Sequence, residues 1–214
     1  MLRLTLIILA LMVSACSGGQ YSGNVAPAKQ RDLMLHTGDM NLDIMPAAHW
    51  HAYRDESRVV LAENENPLDR EGNLHGAVIT IWSPQANAKS DTLVSWLSGV
   101  VSSGDAIGRA VTSQPQAFTW SRGKGAFYTL NTYEQQAALV VVLHADDAHD
   151  SFAFNLSLSA EAVERLPTLL QEILQDTRIN GYRLQTNDLR WIPDTFFIPA
   201  YPAEAAMEAS PIGN

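Results

Sequence analysis

Between Phe152 and Leu158 the chain alternates without a break: Phe152, Phe154, Leu156 and Leu158 are large and apolar, while Ala153, Asn155 and Ser157 are small or polar. Successive side chains of a strand point to opposite faces, so this period of two predicts a strand with one face on a core and the other against smaller or polar groups. The β-branched runs Arg58-Val59-Val60-Leu61-Ala62 and Ala77-Val78-Ile79-Thr80-Ile81-Trp82 are bounded by turn residues and predict two more strands. Residues 117–121 and 126–133 flank Gly123-Lys124-Gly125, which predicts a hairpin whose glycines supply the positive φ of a tight turn and do not cradle a phosphate. Leu139-Val140-Val141-Val142-Leu143 is apolar throughout and predicts a central strand buried on both faces.

Two segments switch to helical spacing. After Ser90 and Asp91, both N-cap residue types, the apolar positions Leu93, Leu97, Val100 and Val101 recur until Gly104. In residues 160–177, Val163, Leu166, Leu170, Ile173 and Leu174 form one stripe, and Pro167 predicts a kink or a restart with the proline near the first turn. The order is strands, helix, four strands, helix, with hairpin-sized connections, so the expected class is α+β: a largely antiparallel sheet covered by helices.

The chain resembles the Mog1/PsbP-like fold. The likeness is carried by Pro46-Ala47-Ala48-His49-Trp50 before the first strong strand, Gly76 leading into Ala77, Gly125-Ala126-Phe127-Tyr128 opening a later strand, and residues 169–174 closing the domain. It spans residues 42–177 and implies an α/β/α sandwich of the kind found in luminal photosystem proteins and bacterial exported proteins. Members mostly act as non-catalytic binding or assembly factors. No functional residue of that family stands at a matching position.

The N-terminus resembles a bacterial lipoprotein signal: Arg3, an apolar run from Leu4 to Val13, then Val13-Ser14-Ala15-Cys16. About ten apolar residues are too few to span a bilayer of about 30 Å but suit the core of an export signal. The resemblance implies cleavage after residue 15 and acylation of Cys16, the only cysteine, so palmitate-type chains anchor the mature protein to a membrane. Ser17 follows where inner-membrane retention usually needs aspartate, which favours the periplasmic face of the outer membrane in a Gram-negative cell, or the outer face of the membrane in a cell with only one. An ordinary secretory signal or an uncleaved membrane helix is the alternative. Residues 16–30 are expected to form a lipidated, flexible tether, 31–180 a globular domain, 181–202 an aromatic and proline-rich extension, and 203–214 a disordered tail.

Arg3 is the only charged residue among the first 15, so the formal charge of −9 becomes −10 after cleavage. No basic stripe offers itself to nucleic acid. With a single cysteine the domain folds without disulfides, and a domain of roughly 145 residues buries about 68–70% of its unfolded surface without them.

Three groupings could carry chemistry. In His49-Trp50-His51 two imidazoles fall on the same side of an extended segment near Asp55 and Glu56, while Trp50 alternatively anchors a turn. The loop from His144 to Asp150 holds His144, Asp146, Asp147, His149 and Asp150, which could ligate a divalent cation; its spacing matches no EF-hand, and the expectation is a solvated hairpin loop with no tight metal. Trp191, Phe196, Phe197 and Tyr201, among Pro193, Pro199 and Pro202, must cover the domain or meet a partner, and covering is preferred. No Gly-x-Ser-x-Gly, His-Glu-x-x-His, Walker A or Gly-x-Gly-x-x-Gly motif is present. The expected function is a lipid-anchored, non-catalytic binding or assembly module of the bacterial envelope that needs no cofactor. The alternatives are an envelope hydrolase with an unrecognised site, or a weak metal-binding lipoprotein.

Overall fold

The computed structural model describes residues 33–47, 49–54, 58–83, 110–132, 137–201. The export signal, Cys16, the tether, the helix expected over 90–104, Asp55, Glu56, Pro202 and the tail lie outside the described residues. What is described is a sheet-rich α+β fold, almost wholly antiparallel. Among the described residues no helix is long and apolar enough to cross a membrane.

The large sheet is built from β3 (His51–Arg54), β4 (Arg58–Ala62), β5 (Ala77–Trp82), β6 (Ala110–Thr112), β7 (Gln116–Trp120), β8 (Gly123–Thr132), β9 (Ala137–Ala145) and β10 (Ser151–Leu158). Its order is β3-β4-β5-β10-β9-β8-β6, and β7 also pairs with β8. Alternation decides its two faces. Val59, Leu61, Ile79, Ile81, Phe152, Phe154, Leu139 and Val141 project to the first face and form the main core. Tyr128, Leu130, Val140, Val142 and Ala153 project the other way into a second, smaller buried cluster.

A small sheet closes the first face. It comprises β1 (Leu33–Thr37), β2 (Met40–Ile44), β11 (Arg178–Ile179) and β12 (Tyr182–Arg183), in that order. Beside it α1 (Leu166–Gln175) buries Leu166, Leu169, Leu170, Ile173 and Leu174. A 3₁₀ turn at Ala160–Arg165 precedes α1, and Pro167 stands in the first turn of the helix, where its missing N–H leaves no intrahelical bond unmade. Leu184, Leu189, Ile192 and Phe196, beyond the helix, belong to the same core as Leu42 and Leu170.

Gly123-Lys124-Gly125 is not the turn that the sequence predicts. Trp120 pairs with Gly123, so Ser121 and Arg122 make the two-residue connection and both glycines lie inside β8. Neither has positive φ among the described residues. They are small because the space is filled: a Cβ on Gly125 would lie 2.2 Å from the Phe118 ring, and one on Gly123 would lie 2.0 Å from the His144 carbonyl oxygen.

Candidate binding face

Each grouping singled out in the sequence is divided by the strand faces. Trp50 is only 1% exposed and its indole N–H donates to Glu172 of α1 at 3.0 Å. His49 lies 3.4 Å from the same Glu172 oxygen. His51 opens β3 and pairs with Ala62, while its neighbour Ala52 packs on the main core. The two imidazoles therefore do not share a side: His49 faces the helix and His51 the second face of the large sheet.

The loop after β9 divides in the same way. His144 is still in β9, 7% exposed, with Nδ1 at 2.9 Å from the Asp150 carbonyl oxygen and 3.2 Å from Ser151 Oγ. Asp146 and Asp147 are exposed. His149 turns to Asp39, at the tip of the β1–β2 hairpin, with Nδ1 at 2.7 Å from the carboxylate. Asp39 also accepts the backbone N–H of His149 at 2.8 Å and that of Asp150 at 3.3 Å. The His149 imidazole and then its N–H hold the Asp39 carboxyl down at about 2. Among the described residues no three His, Cys, Asp or Glu side chains are grouped to hold a metal ion.

Trp191 and Phe196 lie on the first face. Trp191 stacks on Phe118 with centroids 3.8 Å apart, and Phe196 meets Phe127 edge-on at 5.4 Å. Phe197 points away and is 74% exposed, although its carbonyl accepts the Thr129 hydroxyl at 2.6 Å. Tyr201 is half-buried.

Asp188 ties this end of the chain down. Only 2% exposed, it accepts the Ser121 N–H at 2.8 Å, the Ser121 hydroxyl, the Gln185 N–H at 2.8 Å and the Tyr182 hydroxyl at 2.9 Å. Burial pushes its carboxyl up, and these donors together outweigh burial and hold it below its usual range.

The arrangement best suited to a ligand is on the second face of the large sheet, across β3, β4, β5 and β10. Register sets two rows there. Tyr53, Val60, Thr80 and Asn155 stand side by side in one, and Arg58, Trp82 and Ala153 in the next. Directly paired residues share a face, with Cβ atoms about 4.5–5.5 Å apart. Tyr53, Thr80, Trp82, Asn155 and Ser157 are half-buried, so each keeps some contact with water. Tyr53 is held by its hydroxyl, which donates to the Glu65 carbonyl at 2.8 Å. The Asn155 Oδ1 is buried without a hydrogen-bond partner, and its Nδ2 reaches only Ser157 Oγ at 3.5 Å. Buried polar atoms are normally paired, so this oxygen is an exception that it shares with Asp43 Oδ1 and Asn131 Oδ1. The alternation of Asn155 and Ser157 was visible in the sequence; that Thr80 stands directly beside Asn155, with Trp82 diagonal to it and Tyr53 further along the same row, follows only from strand order.

No protein-family model matches the chain. No curated protein matches it either. Among solved structures the chain is similar to a point mutant of the protein Mog1, with TM-score 0.41 and 11% identity over 74% of this chain and 98% of that one. It is similar to the Saccharomyces cerevisiae Ran-binding protein Mog1p, with TM-score 0.41 and 11% identity over 69% and 94% of the two chains. A protein from Bacteroides thetaiotaomicron VPI-5482 gives TM-score 0.39 and 9% identity over 64% and 44%. Likeness of this degree carries no functional argument.

Proposed function

We propose that this protein is a lipid-anchored, non-catalytic binding module of the bacterial envelope, held through Cys16 at the periplasmic face of the outer membrane in a Gram-negative cell. The observation that carries the location is the apolar run Leu4–Val13 ending in small residues directly before the lone cysteine. Two or more acyl chains give stable attachment where one gives only reversible binding.

The half-buried face with Trp82 and Asn155 supports binding over catalysis. His144 and Ser151 lie within hydrogen-bond reach, yet Ser151 is 0% exposed, so its hydroxyl is beyond the reach of a substrate carbonyl. The helix-covered form of the fold belongs to the same proposal. The helical spacing of Leu93, Leu97, Val100 and Val101 supports it, and Trp82 and Ala110, which precede and follow that segment in sequence, both pack against the cluster around Tyr128 and Val140.

The test is metabolic labelling of the expressed full chain with an acyl-chain analogue. The wild type takes up label and fractionates with membranes, and Cys16→Ser takes up none and retains its signal. Undiminished label in Cys16→Ser overturns the assignment.

A further inference from the structure

We propose that Asn180 is a site of spontaneous covalent modification, held closed while the small sheet is formed and open once that sheet comes apart. Its side-chain amide is lost to attack by the Gly181 main-chain nitrogen, leaving aspartate or isoaspartate at position 180.

The sequence supplies the reactive pair, because Asn180 is the one asparagine of the chain that is followed by glycine. The nitrogen after an asparagine is the nucleophile, and glycine leaves it least hindered because no side chain stands on the next Cα. Gly181 is exposed, and a Cβ there would meet nothing within 4 Å. Water therefore reaches this turn.

In the first step the Gly181 nitrogen bonds to Asn180 Cγ and gives up its proton, and the side-chain nitrogen departs as ammonia. A cyclic succinimide results. Water then opens the ring at either carbonyl: cleavage at Cγ gives aspartate, and cleavage at the main-chain carbonyl carbon gives isoaspartate. One water is taken up and one ammonia released, with no oxidant or cofactor.

The folded chain opposes ring closure in two ways. Asn180 has φ 50, which places it in the left-handed region, where ψ is about +30 to +60°. There the Gly181 nitrogen lies nearly opposite Cβ across the Cα–C bond, whereas the ring needs both on the same side. The side chain is also tied to β2: Asn180 Oδ1 accepts the Asn41 N–H at 2.8 Å, and the Asn180 N–H donates to the Asn41 carbonyl at 2.9 Å. Closure requires ψ to turn through about half a rotation and the amide to leave Asn41.

Neither change is open to an intact hairpin. Asn180 and Gly181 are the two-residue turn between Ile179 and Tyr182, Ile179 pairs with Leu42 of β2, and its side chain is 1% exposed in the main core. The gate is therefore the small sheet as a unit. The products differ in what they allow next. Aspartate suits the same turn, and its carboxylate can accept the Asn41 N–H. Isoaspartate adds a methylene to the main chain, so the two-residue turn is lost and the Tyr182 hydroxyl is drawn from Asp188. A molecule that has stayed open is thereby marked and kept from closing again.

The experiment incubates the full chain, solubilised in detergent, at mildly alkaline pH in native buffer and in concentrated guanidinium chloride. The tryptic peptide from Ile179 to Arg183 is followed by chromatography, which separates the two isomers, and by mass spectrometry. Modification of an opened state tracks the population of that state, so conversion in denaturant is expected to be at least about tenfold faster than in native buffer. Gly181→Val should slow the denatured rate severalfold. Ile179→Ala, which weakens the seat of β11 in the core, should raise the native rate. Should Ile179→Ala unfold the whole domain, the wild type in the two buffers still decides the matter. Equal rates in native buffer and denaturant overturn the gate, and no conversion at Asn180 in denaturant overturns the site.

Discussion

Trp191 lies flat against Phe118, with ring planes 9° apart and centroids 3.8 Å apart, although 73 residues separate them in sequence. Phe127 closes on the same indole at 5.5 Å. The C-terminal segment is thereby fastened to the β7–β8 hairpin. Replacing Trp191 with alanine should cost about 2–3 kcal/mol, because the indole is half-buried and its stacking energy goes with its area. Phe197→Ser, six residues on and 74% exposed, should stay within about 0.5 kcal/mol of the wild type. Urea denaturation of both variants checks the contrast, and equal losses would mean that the stacking does not hold this segment.

Gly125 should tolerate no side chain. Its Cβ would fall 2.2 Å from the Phe118 ring and 2.6 Å from the Val142 carbonyl oxygen, and a backbone oxygen in a paired strand cannot withdraw. Gly125→Ala is expected to destabilise by about 1–3 kcal/mol or more through overpacking. Gly72→Ala, at φ +87 with nothing within 4 Å, strains only the backbone. Thermal melts of Gly125→Ala should be rescued in part by adding Phe118→Leu, and no rescue would place the clash elsewhere.

Asp188 makes stability depend on pH in a predictable direction. Its folded carboxyl sits below the ordinary range, so between its folded and unfolded pKa the unfolded chain binds more protons and stability rises with pH. The contribution is complete above about pH 4 and is lost as pH falls through the folded value. Asp188→Asn should lower stability at neutral pH by about 1.5–3 kcal/mol, the range for hydrogen bonds to a charged group, and should flatten the acid limb of the curve. An unchanged acid limb would assign the pH dependence to other carboxylates, such as Asp69, which is held at about 2 chiefly by the Asn73 side chain and N–H.

Asp39 fastens the β1–β2 hairpin to the loop between β9 and β10 through the His149 and Asp150 amides. Asp39→Ala should leave the β9 core amides protected while the His149 amide exchanges faster with solvent. Hydrogen exchange resolved by residue checks this, and an unaltered His149 rate would show that the loop is held without the carboxylate.

What the sequence by itself determined is local. A period of two over residues 152–158 sends Phe152 and Phe154 to one face and Ala153 and Asn155 to the other in any sheet that accepts the strand, and Pro167 belongs in a first turn because it lacks an N–H. Two hairpins carried readable signals in Gly38-Asp39 and in Asn180-Gly181, whose positive φ values of 50 and 78 are those an Asn-Gly turn requires. Their strands, LMLHT and MNLDI among them, lack the β-branched runs that mark a strand on its own, so the small sheet is decided by its burial against the large one. Tertiary structure alone separated His144 from His149, set Gly125 beneath Phe118, and brought Tyr53 into one row with Asn155 and Trp82 into the next with Ala153. Spacing along a chain specifies which way a side chain points; which strand lies beside it depends on contacts between residues far apart in sequence, and these form only when whole faces are buried together.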